Sequence, residues 1–301
     1  MRVSCVMCTR NRPDLIEAAV GSVLANDHEA FELTVIDQSD DDSTERALAG
    51  VRGDSRLRYV HTERPGLSAA YNTGIRLSRA DIVACTDDDC IAPADWVSSV
   101  ESAFARYPEV ELVYGQTLPA DDVAGEEGHI PGLEMRGDVL LGGGRRFYVY
   151  GMGANFATKR SLFERIGGFD EMLGGGAPLR SSQDFDYQYR AYRAGAVCLL
   201  TSSVSVRHYG ARRPAAWQQT LKAYGIGDGA FYFKHVRCGD AGAARMMLAR
   251  FARRLGRSAL SPIRGTDADW TYLRSFLMGI RESMRFPIDR DARLYMPVAQ
   301  S

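Results

Sequence analysis

The sequence predicts an α/β protein built on a doubly wound, mostly parallel sheet. Over residues 1 to 118, short apolar stretches alternate with amphipathic stretches, which is the pattern of successive strand–helix–strand units. One of these apolar stretches, Ile82 to Cys85, runs almost directly into Asp87, Asp88 and Asp89. Ligands of open α/β sheets bind outside the carboxyl ends of the strands, so carboxylates at this place indicate a ligand site.

Composition excludes several classes of protein. The chain has 301 residues, enough for one large core or for a core domain with a smaller appendage. Its formal net charge of -1 gives no reason to expect a nucleic-acid partner. No signal peptide and no apolar stretch of membrane-spanning length is visible, so we expect a cytoplasmic protein, either free or peripheral at the inner face of the membrane. The six cysteines are therefore expected to be reduced thiols, with Cys5 and Cys8 packed inside a strand.

The first half of the chain reads as strands and helices in turn. A strand is expected at Arg2 to Cys8, and Pro13 suits the first turn of the following helix. The spacing of apolar residues identifies the buried face of that helix as Ile16, Ala19, Val20, Val23 and Leu24. Further strands are expected at 31–36, 57–60, 82–85 and 110–117, and further helices from 43, 67 and 95. Right-handed crossovers would gather the loops after residues 8, 36 and 86 at one edge of the sheet. We expect this edge to hold a nucleotide.

The middle of the chain is less regular. Residues 119–146 are rich in glycine and acidic residues and are expected to form an inserted loop. A strand is predicted at Phe147 to Phe156, a short helix at 161–166, and one or two strands within 197–206. Ser181 and Ser182 are candidate N-caps of a helix that runs to about Ala194. Asp184 lies in the first turn of that helix, where the helix dipole favours its charged form.

From about Pro214 the chain is expected to be helical and basic. Residues 240–301 contain eleven arginines and six acidic residues. One apolar stripe is formed by Leu273, Phe276, Leu277, Ile280 and Met284. A second stripe, formed by Met247, Phe251 and Leu255, is flanked by Arg250, Arg253, Arg254 and Arg257. Two interpretations of the second stripe stay open: packing against the catalytic domain, or peripheral contact with an anionic membrane.

The three consecutive aspartates predict a cation site. Carboxylates this close together repel one another and cannot be buried unpaired. A divalent cation relieves the repulsion, and oxygen ligands of this kind suit Mg²⁺ or Mn²⁺. In isolation, a solvated acidic turn would be the more common interpretation of three aspartates; their place after a buried strand favours the cation.

Five segments in order resemble the family 2 nucleotide-sugar glycosyltransferases, which have the GT-A (Rossmann-like) fold. The resemblance covers about residues 2–210, and the segments that carry it are Val35 to Thr44, Pro65 to Gly74, Thr86 to Trp96, Gly167 to Glu171 and Gln183 to Gly195. The resemblance implies a GT-A catalytic domain over residues 1–212, with a nucleotide-sugar half at about 1–118 and an acceptor half at about 147–212. Residues 213–301 would then form a helical C-terminal region.

The resemblance also implies the roles of individual residues. The metal ligands would be Asp89, Asp87 and His208. Asp184 would be the catalytic base that takes the proton of the acceptor hydroxyl. Contacts to the donor would come from Thr9, Arg12, Asp37, Asn72, Asp87 and Asp88. One position departs from the family pattern, since Gln183 stands where a glutamate is usual.

Some of these residues have ordinary alternatives. Asp37 could cap the helix that begins near Ser43. His208 could be a surface histidine. Asp186 is expected to pair with Arg190 one helical turn on, without a part in the chemistry.

The function that the resemblance implies is a metal-dependent, inverting glycosyltransferase. The donor would be a nucleoside-diphosphate-sugar of UDP or dTDP type, and the acceptor a hydroxyl of a carbohydrate or lipid-linked molecule. Two alternatives are a nucleotidyltransferase acting on sugar phosphates and an inactive nucleotide-sugar-binding module. The first would need a glycine-rich basic loop after the first strand, where this chain has residues 8–12 without glycine. The second would be favoured by loss of Asp89 or Asp184, and both are present.

Overall fold

A computed structural model describes residues 3–28, 30–120, 129–259 and 268–298. The chain divides into two compact units. The first unit comprises residues 1–65, 69–168 and 187–211, and the second comprises residues 66–68, 169–186 and 212–301.

The first unit is organised on a nine-stranded mixed sheet. Its strands are β1 (Val3–Thr9), β2 (Phe31–Asp37), β3 (Leu57–His61), β4 (Ile82–Asp87), β5 (Cys90–Ile91), β6 (Val110–Pro119), β7 (Val139–Gly142), β8 (Asn155–Lys159) and β9 (Val197–His208). Their order is β3-β2-β1-β4-β8-β6-β9-β5, and β7 pairs with β9. The pairs β2–β3, β1–β2, β1–β4 and β6–β9 are parallel, whereas β8, β5 and β7 pair with their neighbours in antiparallel fashion.

The helices within the described ranges follow the predicted order. They are α1 (Pro13–Leu24), α2 (Ser43–Ala47), α3 (Leu67–Leu77), α4 (Trp96–Arg106), α5 (Arg160–Ile166), α6 (Gln183–Arg193), α7 (Pro214–Arg237), α8 (Ala241–Ala259) and α9 (Ala268–Ser283). The α1 prediction is confirmed residue by residue, because Pro13 opens the helix and the five residues of the predicted stripe are its buried ones. These residues join the core with β1, whose seven residues are all buried, as expected for a strand covered on both faces.

Two predictions for the middle of the chain are wrong. The segment from Phe147 to Met152 is not a strand, and β8 begins only at Asn155. The backbone N–H of Tyr150 donates to the Gln188 side chain at 2.9 Å, and the Gln188 amide donates back to the Tyr150 carbonyl at 2.7 Å. The ring of Phe147 stacks on Tyr192, with 3.9 Å between the centroids. The aromatic residues that read as a strand therefore pack on α6 while a side chain satisfies the backbone.

The predicted inserted loop also contains regular structure. Within residues 119–146, β7 pairs with the first half of β9, and Leu133 bridges to Thr117. Residues 121–128 of this segment lie outside the described residues. The strand was missed because only Val139, Leu140 and Leu141 signal it, between a polar stretch and three glycines.

The second unit contains α7, α8 and α9 with a two-stranded sheet of β10 (Ile288–Asp289) and β11 (Leu294–Tyr295). Helices α7 and α9 approach closely through glycines. A Cβ atom on Gly229 would collide with the carbonyl oxygen of Phe276, and one on Gly279 with that of Ile226. This close approach buries glycines, which a search for apolar side chains at helical spacing does not detect. The predicted stripe on α9 is therefore partly wrong, since Leu277 is 55% exposed and Met284 is 57% exposed.

No helix in the described ranges is long and apolar enough to cross a membrane.

Candidate functional site

The carboxyl ends of three parallel strands meet at one edge of the sheet in the first unit. In the register of β1, Thr9 pairs with Asp37 at the end of β2, and Cys8 pairs with Asp87 at the end of β4. The turn after β4 adds Asp88 and Asp89 to the same edge. The gathering of polar side chains at this edge, predicted from the right-handed crossovers, is confirmed.

Asp87 has a partner of its own, whereas Asp88 and Asp89 share Arg12. Asp87 accepts a hydrogen bond from the Tyr71 hydroxyl at 2.8 Å. Asp88 accepts from the Thr9 hydroxyl at 2.7 Å and from the Arg12 guanidinium at 2.7 Å. Asp89 accepts from the same Arg12 nitrogen at 3.0 Å. Two predicted donor-binding residues, Thr9 and Arg12, therefore lie directly on the acidic cluster.

His208 completes this cluster from the far end of β9. Its Nε2 lies 3.2 Å from Oδ1 of Asp89, and its Nδ1 lies 2.8 Å from the carbonyl oxygen of Pro131. A carbonyl only accepts, so Nδ1 carries the hydrogen and Nε2 faces the carboxylate. The histidine is buried and is not the surface residue of the alternative interpretation.

Burial and charge set the protonation of these groups. Burial raises the pKa of Asp87 to about 6, and the nearby Asp89 charge adds to that rise. Burial also raises the pKa of Asp89, but its hydrogen bond with His208 and the charges of His208 and Arg12 outweigh burial and leave the pKa below its usual value. Burial lowers the pKa of His208, and its hydrogen bond to Asp89 reverses that change, so the pKa lies above its usual value. As the pH falls, Asp89 therefore keeps its negative charge longer than Asp87 does.

The residues of this cluster fit a divalent cation. Ligand atoms of Asp89, Cys90 and His208 lie within 4.8 Å of one another. A carboxylate oxygen and an imidazole nitrogen whose other nitrogen is fixed by a carbonyl are common ligands of Mn²⁺ and related ions. Asp87, predicted as a third ligand, lies outside this group, and Cys90 lies inside it.

Asp37 is fully buried at the end of β2. Its two oxygens accept from the Ser39 backbone N–H at 2.8 Å and from the Tyr59 hydroxyl at 2.7 Å. No side-chain hydrogen bond caps α2, so Asp37 shapes the turn after β2 and is not the cap of that helix. A cavity of about 270 Å³ lies beside this turn, lined by Arg10, Gln38, Ser39, Asp40, His61, Glu63 and Pro65.

Asn72 and Asp184 lie elsewhere in the fold. Asn72 is buried on α3, and a Cβ on Gly168 would come within 2.7 Å of its side-chain oxygen. Asp184 belongs to the second unit, where it is half-buried at the start of α6. One of its oxygens accepts from the Phe185 backbone N–H at 2.9 Å.

The first turn of α6 is anchored by buried charges within the second unit. Asp186 lies 2.6 Å from the Lys234 ammonium and 3.0 Å from His235 Nε2. Lys234 also binds Asp170 at 2.6 Å. Asp186 was expected to pair with Arg190; the structure gives it Lys234 and His235, whereas Arg190 donates to the carbonyl oxygens of Ile166 and Gly168.

Comparison with known families agrees with this arrangement. The model of the family described as Glycosyl transferase family 2 matches residues 4–167, more than half of the chain. The chain belongs to glycosyl transferase family 2.

Two curated relatives share part of the sequence of this family 2 member. The glucosyl-dolichyl phosphate glucuronosyltransferase of Haloferax volcanii is 28% identical over 184 residues, which cover 58% of this chain and 58% of the relative. The validoxylamine A glucosyltransferase of Streptomyces hygroscopicus subsp. jinggangensis is 24% identical over 241 residues, which cover 70% of this chain and 55% of the relative. The chain thus spans little more than half the length of these relatives.

Solved structures share the fold of this family 2 member at low sequence identity. The mannosyltransferase PcManGT from Pyrobaculum calidifontis, in complex with GDP-Man and Mn²⁺, has a TM-score of 0.63 and 20% identity, covering 94% of this chain and 86% of that one. TarS of S. aureus (residues 1–349), in complex with UDP-GlcNAc, has a TM-score of 0.67 and 14% identity, covering 98% and 84%. The predicted GT-A fold is confirmed.

Sequence reasoning missed three residues of this site. Tyr59 and Tyr71 hold Asp37 and Asp87, and Cys90 joins the group of Asp89 and His208. Cys90 directly follows the aspartates in the sequence, but only the pairing of β5 with β9 brings it opposite His208.

Proposed function

We propose that this family 2 member transfers a sugar from a nucleoside-diphosphate-sugar to a hydroxyl acceptor, with inversion at the anomeric carbon and with Mn²⁺ or Mg²⁺ as cofactor. The observation that carries the proposal is the group of half-buried Asp87 with buried Asp88 and Asp89 at the carboxyl end of β4, joined there by Arg12 and His208. Buried carboxylates at the ligand-binding edge of an α/β sheet, facing both a fixed histidine and an arginine, suit the diphosphate of a donor and its cation.

The metal would be held by Asp89 and His208, with Asp87 close enough to act on both through its charge. When bound, the cation neutralises the negative charge that develops on the leaving diphosphate. Arg12 is half-exposed beside Asp88 and Asp89, so its guanidinium can also reach the donor phosphates. Thr9 and Asp88 would fix the position of Arg12, and the cavity beside Ser39 would receive the nucleotide base near Asp37.

Asp184 is proposed as the general base. A carboxylate in the first turn of a helix is stabilised in its charged form by the helix dipole, and Asp184 stands in the first turn of α6. Its carboxylate would take the proton of the acceptor hydroxyl as the hydroxyl attacks the anomeric carbon. A single displacement with one base inverts the configuration.

For the donor we propose a UDP- or dTDP-sugar. Of the solved structures, one carries UDP-GlcNAc and another carries GDP-Man, so they do not agree on the nucleotide base of the donor. The residues of this chain would decide which base it binds. For the acceptor we propose a glycan or a lipid-linked sugar, since a curated relative is named for a dolichyl phosphate acceptor.

We further propose that α8 and α9 present a membrane-facing surface, here called the C-terminal face. On α9, Trp270 and Leu277 stand seven residues apart, and Met284 follows seven residues later, just past the end of the helix; the three are 39%, 55% and 57% exposed. Exposed Arg274 and Arg281 stand between them. Apolar side chains ringed by arginines and lying along a helix are typical of contact with an anionic bilayer surface.

The second stripe predicted from the sequence divides between packing and exposure. Phe251 packs against Phe276 of α9, with 5.9 Å between the ring centroids, so the middle of the stripe is a packing face. Arg250 binds Asp228 at 2.9 Å, and Arg254 binds Asp269. Leu248 is 64% exposed on α8 and can join the C-terminal face, together with Arg245 and Arg253.

A nucleotide-sugar screen tests the proposed function. Thermal unfolding would be measured with UDP-, dTDP- and GDP-sugars, each with Mn²⁺ and with a chelator. A ligand at a hundred times its Kd stabilises the folded state by about 2.7 kcal/mol, which is readily measured. Stabilisation by a UDP- or dTDP-sugar that needs Mn²⁺ supports the proposal, and release of the nucleoside diphosphate during turnover separates it from a nucleotidyltransferase. No stabilisation by any donor would overturn it.

A further inference from the structure

Cys90 and His208 face each other across a short antiparallel strand pair. In the register of β5 and β9 these two residues are direct partners. Residues directly opposite in an antiparallel pair present their side chains on the same face of the sheet. The Cys90 sulfur also lies 4.0 Å from Oδ1 of Asp89. A sulfur, an imidazole nitrogen and a carboxylate oxygen therefore converge within 4.8 Å of one another.

This group of three lies in the interior and is not a cluster of surface side chains. All three residues are buried, and Cys90 is fully so. The Pro131 carbonyl holds the hydrogen of His208 on Nδ1, at 2.8 Å, so that in the neutral ring the lone pair of Nε2 points into the group. Fixing the outer nitrogen in this way is what protein metal sites use to orient a histidine ligand.

The chemistry of the three ligands differs from that of an all-oxygen site. Mg²⁺ and Mn²⁺ prefer carboxylate and water oxygens, whereas thiolates select softer ions such as Zn²⁺ and Cd²⁺. Three protein ligands with sulfur, nitrogen and oxygen match the ligand types of tetrahedral zinc sites that keep one position open.

We propose that Cys90, together with Asp89 and His208, forms a binding site for a thiophilic divalent cation. The proposal rests on the proposed function to the extent that Asp89 and His208 are also the proposed ligands of the Mn²⁺ or Mg²⁺ cofactor. On binding, the S–H bond of Cys90 is replaced by a sulfur–metal bond and the proton passes to solvent. Because both ions use Asp89 and His208, a bound thiophilic ion excludes the cofactor, and Cys90 makes the enzyme sensitive to the identity of the metal.

The chain supplies matched controls. Cys198 is a buried thiol of the same unit on β9, and its sulfur lies near Gln188 and not in this group. Cys238 is half-buried in the second unit and could bind metal on its own, so Cys238→Ser is made in every protein tested.

The test follows binding of Cd²⁺ and Co²⁺ to the full chain by absorption spectroscopy, without nucleotide. In the Cys238→Ser protein, which is the parent here, we expect a thiolate-to-metal charge-transfer band that saturates at one ion per chain. Adding Cys198→Ser to this parent should leave the band unchanged. Cys90→Ser should abolish the band and weaken Cd²⁺ binding by at least about tenfold, the lower end of what loss of even an outer partner of a metal site costs. Zn²⁺ should displace Co²⁺ and bleach the band.

A second measurement keeps the two proposals apart. Mn²⁺-dependent binding of a nucleotide-sugar is measured on the same proteins, and Cys90→Ser should leave it unchanged within about twofold while the band is lost. Cys90→Ala serves in the same way if the serine variant unfolds. A band that persists without Cys90, or no band in the parent protein, would overturn the Cys90 site whether or not the donor binds. Loss of donor binding in every protein, with the band intact, would count against the proposed function and leave the Cys90 site supported.

Discussion

His208 Nε2 lies 3.2 Å from Oδ1 of Asp89, and the two side chains are almost completely buried. The pair joins the end of β9 to the turn after β4, so one contact couples two distant parts of the chain at the ligand edge of the sheet. The hydrogen bond and charge of Asp89 overcome burial and raise the pKa of His208 above its usual value, and the pKa of Asp89 is lowered in return.

The pair gives the metal-free protein a predictable pH dependence. The folded pKa of His208 exceeds the unfolded value of about 6.5. Its stabilising contribution is therefore fully present below about pH 6.5 and is lost as the pH rises through the folded pKa. The contribution of Asp89 is present above its unfolded pKa of about 3.9 and is lost only as the pH falls through its lowered folded pKa. Urea unfolding with chelator should show stability declining above about pH 6.5 in the parent and a flatter profile for His208→Gln. Identical profiles would contradict the assignment.

Asp89→Asn should abolish metal-dependent donor binding and leave the fold intact. Asparagine keeps the size of the side chain and an oxygen that can accept from Arg12, but it removes the charge that holds a cation. The measurement is Mn²⁺-dependent stabilisation by the nucleotide-sugar found in the donor screen. Asp81→Asn is the control, since Asp81 is exposed just before the opposite end of β4. Donor binding by Asp89→Asn as tight as in the parent would remove Asp89 from the metal site.

Asp184→Asn should bind donor normally and lose transfer. The amide can still accept the Phe185 hydrogen bond but cannot take a proton from the acceptor, and general base catalysis is worth roughly two to four orders of magnitude in kcat. Turnover and donor binding would be measured together, so that a loss of rate is not mistaken for a loss of binding. Asp14→Asn, which alters an exposed acid in the first turn of α1, should leave both unchanged. Full turnover by the Asp184 variant would show that the base lies elsewhere.

Lys234→Met should destabilise the second unit. Lys234 is fully buried and lies 2.6 Å from both Asp170 and Asp186. Removing one partner of a buried ion pair leaves charge uncompensated, and we expect a loss of about 3 kcal/mol, because Asp186 keeps His235.

Urea unfolding followed by tryptophan fluorescence reports this change, since Trp217 and Trp270 lie in the second unit. Lys222→Met removes an exposed lysine from the same helix and should change stability little. Equal stability of the two variants would mean that the buried network does not hold the first turn of α6.

The sequence predicted features that depend on neighbouring residues better than features that depend on contacts between residues far apart in the chain. The stripe of α1 from Ile16 to Leu24 is a local pattern, and it was predicted residue by residue. The meeting of Thr9, Asp37 and Asp87 follows from the handedness of parallel crossovers, which is nearly invariant, so this edge was also predictable.

The failures have long-range causes. Gln188 satisfies the backbone of Tyr150, which removes the need for a strand there, and nothing near Tyr150 in the sequence signals it. Gly229 and Gly279 turn α9 toward α7 by allowing close approach, whereas hydrophobic periodicity assigns a different face. Cys90 comes close to Asp89 and His208 only because β5 pairs with β9, and a strand of two residues is too short to be predicted from its sequence.

The last prediction concerns the C-terminal face. The full chain should sediment with anionic vesicles and not with neutral ones, and high salt should release it, because the arginines of α9 act through screened charge. The double variant Arg274→Gln/Arg281→Gln removes two exposed arginines, each worth on the order of 1 kcal/mol near such a surface, so the lipid concentration for half-binding should rise by about 30-fold. Trp270→Ala/Leu277→Ala should weaken binding to the same vesicles at every salt concentration, since it removes apolar contact.

Arg76→Gln/Arg136→Gln, which alters two exposed arginines of the first unit, is the matched control and should bind like the parent. Arg250 and Arg254 are unsuitable for this test because they hold Asp228 and Asp269. Absence of sedimentation at low salt, or an equal loss in the control, would rule out this face as a membrane contact and leave α8 and α9 as packing elements of the second unit.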